Sequence, residues 1–165
     1  MKILVFSDSH SYRNLMKLFM ENVKPDAVIH LGDYVDDGEE ISRKYPDLPF
    51  YQVPGNCDAY RCSPFMKLEL TKKIGGVKML LTHGHTYHVK SGPEYLLAEA
   101  ECQQVDAVLY GHTHQPVCYQ AEEGFWVLNP GTCGYFEGTA GYMVVENEKI
   151  VSCRIIRWED TEVLK

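Results

Sequence analysis

Five short apolar runs in this chain each stop at a loop that carries a carboxylate, an amide or an imidazole. Lys2–Phe6 ends at Ser7-Asp8-Ser9-His10, Ala27–Leu31 at Gly32-Asp33, and Phe50–Val53 at Pro54-Gly55-Asn56. Val77–Thr82 ends at His83-Gly84-His85, and Ala107–Tyr110 at Gly111-His112-Thr113-His114. Runs this short and this apolar read as buried strands. Helical spacing separates the first three: Leu15, Leu18, Phe19 and Val23 recur within residues 11–23, stopped by Lys24-Pro25. A charged segment from Val35 to Lys44 reads as a second helix, ending before Pro46. Strand–helix–strand–helix–strand is the pattern of a parallel sheet with crossover helices. In open α/β sheets ligands bind in the crevice at the carboxyl ends of the strands, so loops remote in sequence converge there.

The middle of the chain changes style. Met66–Leu70 and Val77–Thr82 flank Gly75-Gly76 and read as a hairpin. A helix is expected over Pro93–Gln104, with Leu96, Leu97 and Ala100 on one face. The end is β-rich, with strands expected at Val117–Gln120, Phe125–Leu128, Gly141–Val145 and Ile150–Ile156. No linker, repeat or low-complexity tract interrupts the 165 residues, so a single domain over 1–165 is expected. Two sheets packed face to face with helices outside, one mainly parallel and one mainly antiparallel, fit this order.

Sixteen Lys and Arg against 23 Asp and Glu leave a formal charge of −7. Proteins that grip nucleic acid through its phosphates are usually basic, so stable nucleic-acid binding is disfavoured. Acids gathered in a site hold cations instead. No apolar run approaches the roughly 20 residues of a membrane span. The apolar opening is too short for a signal peptide, so a cytoplasmic protein without membrane attachment is expected. Cysteines 57, 62, 102, 118, 133 and 153 form no C-x-x-C pair, and the expectation is reduced, mostly buried thiols.

The loop residues suit metal chemistry. Asp8, His10, Asp33, Asn56, His83, His112 and His114 make a mixed nitrogen and oxygen set without thiolate. Such a set suits two borderline or hard divalent ions, with Mn favoured and Fe, Zn, Ni or Co accepted. Asp8, His10, His114 and a shared Asp33 would hold one ion. Asp33, Asn56, His83 and His112 would hold the other. An aspartate bridging two cations about 3.5–4 Å apart is a design of phosphate-ester hydrolases. Any one of these residues alone reads better as a cap or turn residue, and it is the set that points to metal.

Asp8-x-His10, Gly32-Asp33, Gly55-Asn56, His83 in His-Gly-His, and Gly111-His112-Thr113-His114 together resemble the calcineurin-like metallophosphoesterase superfamily. The chain looks like its small phosphodiesterase branch, to which the phosphoesterase-like subunit of retromer is related. The resemblance spans nearly the whole chain, including Asn129-Pro130-Gly131-Thr132. It implies an α/β fold, a four-layer α-β-β-α sandwich with two mixed β-sheets, and a dinuclear site on the residues named above. Many members carry His after the Asn of the third motif, whereas Cys57 stands here, which argues against phosphomonoesters.

The expected function is a metal-dependent phosphodiesterase acting on a small phosphodiester through a hydroxide shared by two ions. The water from which it forms would have its pKa lowered to about 7. Asn56 would stabilise phosphoryl charge, and Cys57 and His85 are further candidates for contact with the reacting groups. A protein-binding scaffold of the same fold is the alternative, and loss of metal-type ligands would favour it. A nuclease would need a basic surface or an added domain. Oligomeric state is open, a homo-oligomer included. His30, on an apolar strand, reads as a packed core residue. Asp58 reads either as an orienting partner for a catalytic histidine or as an Asx-type turn. Arg13, His88 and Lys90 could touch substrate. The acidic run Asp36-Asp37-Gly38-Glu39-Glu40 reads as a solvated helix start. Gly131–Gly141 follows no phosphate-cradling glycine pattern.

Overall fold

A computed structural model describes residues 1–134 and 138–164. Tyr135, Phe136 and Glu137, inside the glycine-rich 131–141 segment, lie outside the described residues, as does Lys165. Strands β1 (Lys2–Phe6), β2 (Ala27–His30) and β3 (Phe50–Gln52) alternate with helices α1 (Arg13–Val23) and α2 (Val35–Lys44). Then come β4 (Glu69–Ile74), β5 (Val77–Thr82), α3 (Glu94–Cys102), β6 (Ala107–Leu109), β7 (Val117–Gln120) and β8 (Trp126–Asn129). Strands β9 (Thr139–Glu146) and β10 (Lys149–Arg157) follow, and a 3₁₀ segment, Trp158–Leu164, ends the chain.

The strands form two five-stranded sheets, ordered β10-β9-β1-β2-β3 and β4-β5-β6-β8-β7. Both are mixed. In the first, β1, β2 and β3 are parallel while β9 joins β1, and β10 joins β9, antiparallel. In the second, β5, β6 and β8 are parallel, with β4 and β7 antiparallel at the edges. The division into one mainly parallel and one mainly antiparallel sheet does not hold. It assigns each half of the chain its own sheet, whereas β9 and β10 return to the open edge of β1.

The four layers follow from the period of two along each strand. Ile3 and Val5 face the seam between the sheets, where they meet Ile29, Met79, Leu81, Leu109 and Met143. Leu4 and Phe6 face outward onto Met16, Phe19, Met20 and Val23 of α1 and Ile41 of α2. On the far side, Leu96 and Ala100 of α3 cover Leu80, Val108 and Val127. Each large side chain fully buried here contributes about 1.5–3 kcal/mol relative to exposure. Met16 and Met20, not Leu18, complete the buried face of α1; Leu18 is exposed.

Four other local expectations need correcting. The strand before Gly75-Gly76 spans Glu69–Ile74 rather than residues 66–70, because an edge strand with a solvated face can consist largely of polar residues. The acidic run is not wholly solvated, since Asp37 and Gly38 are buried. The thiols are free, but among them only Cys133 is buried; Cys57 and Cys102 are exposed. Arg13 is committed to ion pairs, its Nε 2.6 Å from Asp37 and its Nη1 2.7 Å from Glu40. Asp37 also accepts hydrogen bonds from the Ser9 hydroxyl and the Ser11 N–H, so it anchors the loop after β1.

Candidate metal centre

Every candidate ligand sits just past the carboxyl end of a strand. Asp8 and His10 follow β1, Asp33 follows β2, and Asn56 opens a 3₁₀ turn after β3. His83 follows β5, and His112 and His114 follow β6. Each sheet thus supplies part of one cluster, across 104 residues of sequence between His10 and His114. The loops are tightly bent. Asp8, His10, Asp33, His112 and His114 all have positive φ, between 42° and 67°. Asp, Asn and His tolerate this region better than most residues, yet each such position costs of order 1–3 kcal/mol. The loops after β2 and β3 touch so closely that a Cβ on Gly32 would meet the backbone nitrogen of Gly55. Gly111 abuts the Ser7 hydroxyl in the same way.

One ligand atom each from Asp8, His10, Asp33 and His114 lie within 4.8 Å of one another. Asp8 is buried. Its Oδ2 accepts the Ser7 hydroxyl at 2.6 Å and the His112 N–H at 3.0 Å. Its Oδ1 lies 3.0 Å from His114 Nε2 without an aligned hydrogen bond, and is a buried oxygen lacking a partner. Buried polar atoms are rarely orphaned, so this one asks for a cation. Beside it, His83 Nδ1 is 2.7 Å from the Leu31 carbonyl, which can only accept, so Nδ1 carries the proton. In the neutral ring His83 Nε2 is then an acceptor, facing Asn56 Oδ1 at 3.2 Å and Asp33 Oδ1 at 3.5 Å. The Leu31 carbonyl performs the orienting task that partners of metal-ligating histidines usually have. The His112 ring centroid lies 5.0 Å from that of His83, and His85 lies 5.4 Å from His83. His85 Nδ1 is a second buried atom without a partner.

The electrostatics suit cation binding. Burial raises the Asp8 carboxyl, but contact with His114 and the nearby His83 outweigh it, so its pKa is lowered and it stays ionised. The same contact raises His114. Burial, then His83 and Lys90, hold His112 at about 4, which keeps its ring neutral and able to donate a lone pair. Burial and His83 lower His85 likewise. Burial and Asp33 push the Cys57 thiol up to about 11.

Other candidates fall elsewhere. His30 is fully buried: its Nε2 donates to Ser9 Oγ at 3.2 Å, and its Nδ1 accepts the Gly32 N–H at 3.4 Å. Among the described residues no histidine hydrogen-bonds Asp58. Asp58 accepts the N–H groups of Tyr34 and Val35 at the start of α2 and of Gly55 in its own turn. His88 and Lys90 are exposed, and the Lys90 charge is near enough to act on His112 and His114. Two supports escaped sequence reasoning. Ser7 precedes Asp8 directly. Asn129 is buried and donates to the Gly111 carbonyl and Thr113 Oγ1, fixing the loop that carries His112 and His114. The Asn-Pro-Gly-Thr motif was the available signal for Asn129.

The sequence profile of the calcineurin-like phosphoesterase superfamily domain matches residues 1–149. The chain belongs to that superfamily. Phosphodiesterase MJ0936 of Methanocaldococcus jannaschii is 30% identical over 168 residues, covering 90% of this chain and 95% of its own. A solved archaeal phosphodiesterase superimposes with a TM-score of 0.72 at 27% identity, over 95% of this chain and 99% of that one. Vacuolar protein sorting 29 from Cryptosporidium parvum shares the fold, with a TM-score of 0.69 at 18% identity over 94% and 96% of the two chains. This calcineurin-like phosphoesterase therefore has the architecture of its superfamily and a group of aspartates and histidines suited to divalent metal.

Proposed function

We propose that this protein is a metal-dependent phosphodiesterase for small phosphodiesters, with two divalent ions held by Asp8, His10, Asp33, Asn56, His83, His112 and His114. The buried, unpartnered Asp8 Oδ1 at the centre of the Asp8–His10–Asp33–His114 cluster carries this reading. When bound, divalent ions supply Lewis acidity, neutralising phosphoryl charge and making water a stronger acid. Mn, Fe, Zn, Ni and Co all tolerate these nitrogen and oxygen donors, and availability decides among them. Among the described residues no helix is long and apolar enough to cross a membrane.

The chain's own residues divide the remaining work. Asp33 faces both halves of the site, and the Cys57 N–H donates to its Oδ1 at 2.9 Å, fixing the carboxylate plane. Asp8 is held by Ser7 and by the His112 N–H, so its free oxygen points into the cluster without further reorganisation. Asn56 can turn its amide N–H toward a phosphoryl oxygen as charge builds there. His85, with an unpartnered ring nitrogen beside His83 and His112, would hydrogen-bond the same group. Cysteine is a weak donor, so Cys57 gives a leaving oxygen little help, and esters with good leaving groups are favoured. The scaffold alternative loses ground because the ligand set is complete.

Asp33→Asn is the direct test. It keeps shape and removes the shared anion, so hydrolysis of an aryl phosphodiester should fall by more than the roughly 10–100-fold typical of an outer-shell partner. Elemental analysis should find two divalent ions in the parent protein and fewer in the variant, with unchanged circular dichroism. Full hydrolysis by the metal-stripped parent protein would overturn the proposal.

A further inference from the structure

The sulfurs of Cys118 and Cys153 lie 3.3 Å apart, although 35 residues separate them in sequence. Cys118 is on β7, the outer strand of one sheet, and Cys153 is on β10, the outer strand of the other. No backbone pairing joins these strands, yet they run within 8 Å of each other, Cα to Cα. Cys118 stands opposite Leu128 and Cys153 opposite Met143. Residues opposite one another in an antiparallel pair share a face. Leu128 and Met143 belong to the core between the sheets, so both thiols point into the seam, where they pack half-buried. Neither is part of the metal centre.

We propose that Cys118 and Cys153 form a dithiol that low-molecular-weight disulfides such as oxidised glutathione convert into a disulfide joining the two sheets. One thiolate attacks a sulfur of the reagent, breaking its S–S bond, forming a mixed disulfide and releasing one thiol. The second thiolate then attacks the protein-bound sulfur and releases the other thiol. The protein loses two electrons and two protons, and the reagent becomes two thiols. The sulfurs need only close from 3.3 Å to the roughly 2.05 Å of a disulfide. Cys57 and Cys102 are exposed and will take up the reagent too, but among the described residues neither sulfur has another sulfur within hydrogen-bond range, as Cys118 and Cys153 do. Cys133 is buried and serves as an unreactive internal reference.

The test treats the full chain with oxidised glutathione, blocks remaining thiols by alkylation, and maps non-reduced peptides by mass spectrometry. The expected result is a peptide pair linked through Cys118 and Cys153. Closing a 35-residue loop should also raise the melting temperature by on the order of 10 °C, reversibly with dithiothreitol. Cys118→Ser and Cys153→Ser should each abolish both effects. Glutathione adducts on Cys118 or Cys153 without the cross-link would overturn the proposal. So would both thiols remaining alkylatable after Cys57 and Cys102 have reacted.

Discussion

Cys57 occupies the turn beside Asn56, where a better proton donor would widen the range of esters cleaved. A positioned general acid contributes typically about 10²–10⁴-fold, most where the leaving group is poor. Cys57→His is therefore expected to raise the rate on an alkyl phosphomonoester by about tenfold or more, and far less on an aryl one. Steady-state rates on the matched pair, at saturating metal, check this; equal rates for parent and variant would show that Cys57 does not limit the chemistry. The candidate ligands were legible only as a set, because carboxylate and imidazole chemistry is local and each follows an apolar run, while any one alone reads as a cap or turn residue. Their supports were not. Ser7 and Asn129 are ordinary polar residues until the fold turns them toward Asp8 and the His112 loop.

Among the elements, the junction of α2 with the β3 loop depends on one carboxylate. Asp58 serves three backbone N–H groups in two loops, tying the Asp33 segment to the Asn56 turn. An N-cap alone is worth about 1 kcal/mol, and buried donors left unpaired cost about 1–3 kcal/mol. Asp58→Ala should therefore destabilise the fold by about 2–4 kcal/mol, read as a lower urea midpoint, and Asp58→Asn by less. Equal losses for the two variants would assign the effect to charge rather than to acceptors. Apolar spacing placed α1 and α3, and a charged run ending before Pro46 marked α2. Apolar spacing misplaced β4, whose Lys72 and Lys73 carry no apolar signal and whose pairing with β5 alone makes it a strand. Asp37 also read as solvated, because a buried acid is recognised only through partners such as Arg13 and Ser9, which are remote in sequence.

For the whole molecule, acid should act in part through buried His30, as it should through His112. In the fold both His30 ring nitrogens are engaged in the neutral form, and burial holds the His30 pKa at about 4. The unfolded chain titrates this ring near 6.5, so between these values the unfolded state binds the extra proton. The stabilisation is present above about 6.5 and is lost as pH falls toward 4. In chelator, the parent protein should lose about 2 kcal/mol from this group between pH 7 and 5. His30→Gln should show a correspondingly shallower decline in urea midpoint; parallel declines would contradict this. The four-layer arrangement was legible because strands and helices alternate early and strands dominate late. The allocation of strands to sheets was not, since nothing local in Thr139–Glu146 says that it returns to β1.

That return sets an order on synthesis. All seven candidate ligands have been translated once residue 114 is made, yet β1, which leads into Asp8 and His10, is the middle strand of its sheet. One of its edges stays bare until residues 139–146 emerge and pair with it. A ribosome-bound chain of about that length holds every metal-type residue, but Asp8 and His10 then follow a strand with an open, apolar flank, the kind of edge that recruits other strands. The candidate metal centre is thus expected among the last features to become rigid, although its residues are made early. A chain stopped just before β9 should aggregate rather than bind metal tightly.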